Sequence, residues 1–364
     1  MSTPDPRRRE AFAKRMTDLL NAQALGAAMC LGYRAGLFDA MDRLAEPATC
    51  ARIAREAGLD ERYAREWLAA MACGGVVELS ASGSGEDLFL LPPEHGDFLC
   101  LRSGSANLGV YAQEIPLLTR CALDEVQRAM VTGEGVPYDR YPPFHDWMAQ
   151  VAEAKHRQVL VDTFLPGVAD GEMVRRLRQG IRVLDVGCSE GVAALLMARA
   201  FPASDITGVD ISAKAVDKAR AEASRLGLSN ARFEVRDAAG LERDRDFAGA
   251  FGYVTAFDAI HDQTRPLDAL RGIKASLAGG GMFSMVDIKA GTALADNLPH
   301  PMGAFLYTVS LMHCMPVGLV DAGAGLGTMW GREKALEMLA AAGFDSVEVC
   351  DIPSDAFNSH YLCR

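Results

Sequence analysis

The residues best suited to chemistry in this chain sit where short apolar runs stop. VLDVGCSEG, residues 183–191, ends an apolar run at Asp185-Val186 and turns at Gly187. Ser189 and Gly191 then lead into the helical stretch VAALLMARAF. Small residues let a backbone come close to a ligand, and the first N–H groups of a helix are free to bind one. The next run ends in GVDIS, which puts Asp210 about 20 residues past the loop, where an acid accepts both hydroxyls of a ribose. A third ends at Asp237-Ala238, where a carboxylate can hold the amino group of an adenine. Any one of these acids alone could be a helix cap. Three at successive strand ends point to a bound nucleotide, because ligands of open α/β sheets lie at strand C-termini.

The fourth run, VTAFDAI, leads into His261-Asp262-Gln263. A histidine there suits removal of a proton from a hydroxyl, since its ordinary pKa is about 6.5. Asp262 either orients the imidazole or caps the helix that begins near Pro266. Asp287 ends the fifth run, MVDIK, on the same side of the sheet, as a candidate substrate contact. In SLMHCMP, His313 and Cys314 are consecutive, and consecutive side chains diverge on a helix, so no metal pair is expected there. His313 alone is a candidate acceptor contact. YDRYPPFHDWM supplies Tyr138, Tyr141, Phe144, His145, Trp147 and Met148. These either pack a core or line an acceptor pocket, with Tyr141 and Trp147 the candidate contacts. No strand precedes Gly323, Gly325 and Gly327, so they read as a connector or lid.

These residues need a scaffold. The five runs, with helical segments between the earlier ones, imply a doubly wound parallel sheet in an α/β domain. VEVCDI and SHYLCR follow as further apolar runs. The N-terminal part differs. Residues 10–48 carry helical periodicity, with Gly32 and Gly36 as breaks. A helix capped by Thr49 and ended by Gly58 follows, then one capped by Asp60 and ended by Gly74-Gly75. VVELS and DLFLLPP flank the turn ASGSGED as a hairpin. Helix, helix, hairpin is the winged-helix order. The expected division is 1–100 winged-helix-like, 101–175 helical linker with substrate-pocket helices, and 176–364 nucleotide-binding.

VLDVGCSEG, GVDIS and VRDA together resemble the three cofactor motifs of class I S-adenosylmethionine-dependent methyltransferases. The resemblance implies a Rossmann-like, seven-stranded sheet with its last strand antiparallel. It implies S-adenosyl-L-methionine as cofactor and S-adenosyl-L-homocysteine as product. Asp185 would lie near the methionine end, wrapped by the loop of Gly187, Ser189 and Gly191. Asp210 would bind the ribose and Asp237 the adenine, with Ile211, Ala238 and Thr255 as further cofactor contacts. Where Ser189 stands, that family usually has glycine. FDAIHDQ resembles the stretch of plant-type small-molecule O-methyltransferases in which a His-Asp pair follows strand four, implying His261 as general base with Asp262 beside it. Those enzymes carry an N-terminal winged-helix dimerisation domain, which implies a homodimer. The segment from SLMHCMPVGL to LAAAGF resembles a bacterial group that is mostly functionally unassigned.

Composition narrows the rest. The 364 residues carry a net charge of −11, which does not attract phosphate backbones, so nucleic acid is not an expected partner. A winged-helix DNA-binding regulator remains the rival from another class, with Arg62 and Arg65 its candidate contacts. S-methylation of a small thioether acid is the other alternative, needing no base, with Arg265 the nearest anion-binding candidate. Nine cysteines without C-x-x-C pairs argue against a disulfide framework and fit a reducing cytoplasm. No signal sequence is recognised, and no apolar run reaches the roughly 18 residues a membrane span needs. No metal and no membrane partner are expected.

Overall fold

The structure, a computed structural model, describes residues 4–364 except Ser82, Ser84 and Ser354, and the side chains of all these except Ser105, His145, Glu153 and Ala356. It contains two compact units, Met1–Pro116 and Leu117–Arg364.

The first unit is built from helices α1 (Pro6–Arg34), α2 (Leu37–Leu44), α3 (Cys50–Ala57), α4 (Glu61–Cys73) and α5 (Pro93–Leu99). Its short strands β1 (Ala48–Thr49), β2 (Glu78–Ala81) and β3 (Asp87–Leu90) pair in the order β1-β3-β2. The capping chemistry in the sequence operates as expected. Thr49 accepts the Arg52 N–H, and Asp60 accepts those of Arg62 and Tyr63. Phe38, Ile53, Leu68 and Met71 are fully buried at the centre, with Trp67 edge-on to Phe38 at 5.1 Å. One expectation is corrected here. Gly32 does not break the first helix, which runs through it to Arg34. The glycine serves close approach instead, since a Cβ there would stand 2.3 Å from the Trp67 indole. Gly32→Ala is therefore expected to destabilise the protein by about 1–3 kcal/mol despite alanine's better helix propensity. Urea unfolding measures this, and an unchanged midpoint would mean that Trp67 simply moves aside.

The second unit holds a seven-stranded sheet: β4 (Arg182–Val186), β5 (Asp205–Asp210), β6 (Ala231–Val235), β7 (Phe251–Phe257), β8 (Leu277–Ile288), β9 (Val347–Ile352) and β10 (Asp355–Cys363). The order is β6-β5-β4-β7-β8-β10-β9, parallel except for β10, which is antiparallel to both neighbours. Val183, Leu184 and Val186 of β4 are all buried, as a strand covered on both faces requires. One apolar cluster gathers Val183, Met197, Phe233 and Tyr253, and a second gathers Leu184, Val254, Phe283 and Leu339. Among the described residues, no helix is long and apolar enough to cross a membrane.

The stretch between the first unit's hairpin and β4 is helical, with α6 (Glu114–Thr132) and α7 (Pro142–Val159) on either side of the proline-rich turn. The first unit extends beyond residue 100. Asn107 donates to the Tyr33 hydroxyl and to the Cys100 carbonyl, both at 3.1 Å, and so fastens the segment after α5 to that unit.

Candidate active site

The parallel topology carries the C-terminal ends of β4, β5, β7 and β8 to one edge of the sheet, and the chemistry-bearing residues lie there. After β4 the chain turns at Gly187 and Gly191, both in the left-handed region at φ +69° and +79°. Neither position accepts a side chain. A Cβ on Gly187 would stand 2.5 Å from the Ala259 Cβ, and one on Gly191 would stand 2.5 Å from the Phe233 ring. Ser189 is also left-handed, at φ +49°, a conformation that strains a residue with a Cβ. Ser189→Gly is expected to raise the thermal midpoint slightly, by about 1 kcal/mol of stability or less. A fall in the midpoint would mean that the side chain makes a compensating contact.

Asp210 holds this loop in place. One carboxylate oxygen accepts the Ser189 N–H at 2.9 Å and the other accepts the Ser212 N–H at 2.8 Å. Burial pushes its pKa up, while the surrounding amides pull it down. Asp185 is 2% exposed, and burial raises its carboxyl to about 7, although Thr255 donates to it at 2.7 Å. Thr255 is itself fully buried, so its reach toward a ligand is through Asp185. Ile211, beside Asp210, is 69% exposed, and Ala238 is buried. Asp237 differs from the other acids. It accepts the Ala239 N–H at 2.9 Å as a cap and pairs with Arg265 at 2.6 Å, with both side chains largely exposed. Its strand ends at Val235, two residues before it. Arg265 is thus engaged at the end of the third strand.

The second centre lies beyond β7 and β8. His261 is 4% exposed, and its Nδ1 is 2.8 Å from Asp287 Oδ1. Trp330 Nε1 at 3.1 Å and the Ile288 N–H at 2.8 Å donate to that same oxygen. Asp262 lies on the other side of the ring, with Oδ1 3.4 Å from Nε2. Asp287, a candidate substrate contact in the sequence because it ends the fifth run on the ligand side of the sheet, is thus the acid bonded to Nδ1, while the adjacent Asp262 lies near Nε2. Burial works against a charged imidazole here, but the Asp287 and Asp262 carboxylates outweigh it and hold the His261 pKa well above its ordinary value.

The chain reaches this centre a second time at Ser310–Cys314, a π-helical turn in which the Met315 N–H donates to the Ser310 carbonyl. Cys314 hydrogen-bonds His261, and burial raises its thiol to about 12. His313, 1% exposed, has Nδ1 3.5 Å from Cys314 Sγ and 4.0 Å from Asp262 Oδ2. Tyr141 and Phe144 pack their rings against His313 at 4.8 and 4.6 Å, and Trp147 stacks on Phe144 at 5.1 Å. Tyr141 is fully buried and donates to the Met312 carbonyl at 2.9 Å. Tyr141 thus packs on His313 and Trp147 on Phe144, and both side chains are buried. His145, from the same segment, lies outside the described side chains. Cys314 and Trp330 were not singled out as partners of His261. The signal was faint: both lie in segments that appeared to be only helix and connector.

With the geometry in place, the fold can be compared with known proteins. The strand order β6-β5-β4-β7-β8-β10-β9, with β10 antiparallel, is that of a Rossmann-like methyltransferase fold, and a winged-helix unit precedes it. Residues 177–343 match a family model described as "Methyltransferase domain", and residues 23–101 match one described as "Rv2258c-like winged HTH domain". A stretch of 103 residues is 32% identical to the ubiquinone biosynthesis O-methyltransferase of Bordetella avium (strain 197N). It covers 28% of this chain and 41% of that protein. Human N-acetylserotonin methyltransferase, solved in complex with SAM, superposes at a TM-score of 0.68 with 15% identity, covering 100% of this chain and 99% of that one. The mitomycin 7-O-methyltransferase MmcR superposes at 0.65 with 15% identity, covering 99% and 100%. At such identities these structures share the fold.

Proposed function

We propose that the chain transfers a methyl group from S-adenosylmethionine to a hydroxyl oxygen of a small-molecule acceptor, releasing S-adenosylhomocysteine, with His261 as general base. The observation that carries this reading is the buried Asp287–His261 pair at the ends of β7 and β8, beside the glycine loop.

The residues present fit the cofactor. Gly187 and Gly191 leave backbone where a side chain would clash, and the two oxygens of Asp210, which accept the N–H groups of Ser189, Ser212 and Ile211, keep one of their four lone pairs for a ribose hydroxyl. Asp185 faces the methionine end as a carboxylate, while Ile211 and Ala238 supply apolar surface. Asp237 serves the adenine once Arg265 turns away, an exposed pair that costs little to open. When bound, the cofactor supplies an already activated methyl group on a sulfonium. The chain then has two tasks, to hold the acceptor in line with that methyl and to take its proton. His261 performs the second. Asp287 fixes one proton on Nδ1, so Nε2 is the nitrogen that exchanges a proton, and the raised pKa moves the free-base form, and with it activity, to higher pH. His313 bounds the acceptor's side of the centre.

One observation weighs against the DNA-binding rival. Arg62 and Arg65, the groove contacts of a DNA-binding reading, pair along α4 with Glu66 and Glu61. The first unit serves instead for pairing two copies. Phe12, Met16, Leu19 and Leu20 of α1, at helical spacing, are 63%, 40%, 43% and 59% exposed in the single chain. The double variant Phe12→Glu/Leu20→Glu is expected to halve the mass seen by light scattering. An unchanged mass removes this stripe from the interface. Nine free cysteines are consistent with a cytoplasmic setting.

The direct test is calorimetric titration with S-adenosylhomocysteine, followed by methyl transfer to a panel of hydroxyl and thioether acceptors. Wild type binds and methylates a hydroxyl, while His261→Ala binds equally and transfers about 10²–10⁴-fold more slowly. No binding by the folded wild type overturns the transferase reading. Undiminished transfer by His261→Ala overturns the base.

A further inference from the structure

We propose that His261, Asp262 and Cys314 form a zinc site. Their donor atoms lie within 4.8 Å of one another, and among the described residues this is the one such group of histidine, cysteine and acidic side chains. The inference deepens the reading above, on which it rests for the place of the acceptor.

The donor chemistry favours zinc. One imidazole nitrogen, one sulfur and one carboxylate oxygen make the mixed set that a tetrahedral borderline-soft cation takes, and hard cations such as magnesium avoid thiolate. A thiolate and a carboxylate together balance the charge of a divalent ion. The supporting contacts also fit. Metal-binding histidines commonly give their other ring N–H to a carboxylate, and His261 gives Nδ1–H to Asp287, which Trp330 steadies in turn. Nε2 is left facing Asp262 Oδ1 at 3.4 Å, a buried oxygen with no hydrogen-bond partner. Buried oxygens are rarely left so, and a cation between these atoms satisfies it. Zinc bonds of about 2.0–2.3 Å place tetrahedral donors roughly 3.3–3.8 Å apart, so the three close in by about 1 Å on binding.

Three protein donors leave a fourth position open, the arrangement of a reactive rather than a purely structural site. The ion takes the lone pair with which His261 would accept a proton, so ion and proton exclude each other. Zinc at this site would therefore block the general-base step proposed above, and His261 would act as base in the zinc-free protein.

The experiment reads metal binding without activity. The full-length protein is dialysed against Zn²⁺ and counted, then loaded with Co²⁺ for absorption spectroscopy. Wild type is expected to hold one ion per chain and to show a sulfur-to-cobalt charge-transfer band with tetrahedral visible bands. Cys314→Ser loses the charge-transfer band, Asp262→Asn binds at least about tenfold more weakly, and Cys73→Ser, a control at an exposed thiol, changes nothing. S-adenosylhomocysteine titration of each variant reports folding. Failure of wild type to hold zinc, or a band that disappears in Cys73→Ser, overturns the site. Zinc binding without S-adenosylhomocysteine binding leaves the site standing and overturns the transferase reading instead.

Discussion

Asp287→Asn lowers kcat by about 10²–10⁴-fold and leaves S-adenosylhomocysteine affinity unchanged. The substitution keeps the shape of the side chain and an oxygen for the Trp330 and Ile288 donors. What disappears is the negative charge 2.8 Å from Nδ1, which stabilises the imidazolium formed when His261 takes a proton. Asp262→Asn costs less, about tenfold, because Asp262 stands 3.4 Å from the opposite nitrogen and does not fix the ring. Steady-state kinetics on the two variants settle the ranking. A larger loss at Asp262 would make it the orienting acid and leave Asp287 a structural bond to Trp330.

The second large effect is one of pH. In the ligand-free protein, burial raises the Asp185 carboxyl to about 7, so below that pH it is mostly protonated. The positively charged methionine end of the cofactor prefers the carboxylate. Affinity is therefore expected to fall by about tenfold per pH unit below 7, roughly 100-fold at pH 5, and to level off above 7. Asp185→Asn binds weakly and shows no such slope. Stability moves the other way. Between the ordinary carboxyl value of 3.8 and about 7, the folded chain retains a proton that the unfolded chain has released. Unfolding free energy of the ligand-free protein hence declines as pH rises through that window, and the decline is absent in Asp185→Asn. Calorimetric titration and urea unfolding at several pH values check both slopes. A flat wild-type affinity would mean that Asp185 does not face the cofactor's charge.

Much of the fold was legible because it is encoded locally. Each of the seven strands is a short apolar run, and Thr49, Asp60, Gly58 and Gly74 mark helix ends by chemistry that needs no distant partner. Gly32 misled because a glycine that breaks a helix and one that admits a tryptophan look alike in sequence. The glycine loop and Asp210 were legible for the same local reason. The second centre was not. Asp262 is next to His261 in sequence, whereas Asp287 becomes its neighbour only because β7 and β8 are adjacent parallel strands, with Phe257 opposite Val286. Cys314 was obscured differently. On a regular helix, consecutive residues diverge, but the π-helical turn at Ser310–Cys314 alters the phase, and both His313 and Cys314 approach the Asp262–His261 group. Backbone irregularities of this kind leave no periodicity to read.

Asp287 Oδ1 already receives three donors, from His261, Ile288 and Trp330. The other oxygen of Asp287, Oδ2, is buried with no hydrogen-bond partner among the described residues to hand a proton to, so the inner face of the imidazole is a dead end. On the function proposed above, a proton taken at Nε2 would leave by the atom through which it came. It would depart only after the methylated product had vacated that side, an order of transfer, product release, then return of the proton to water.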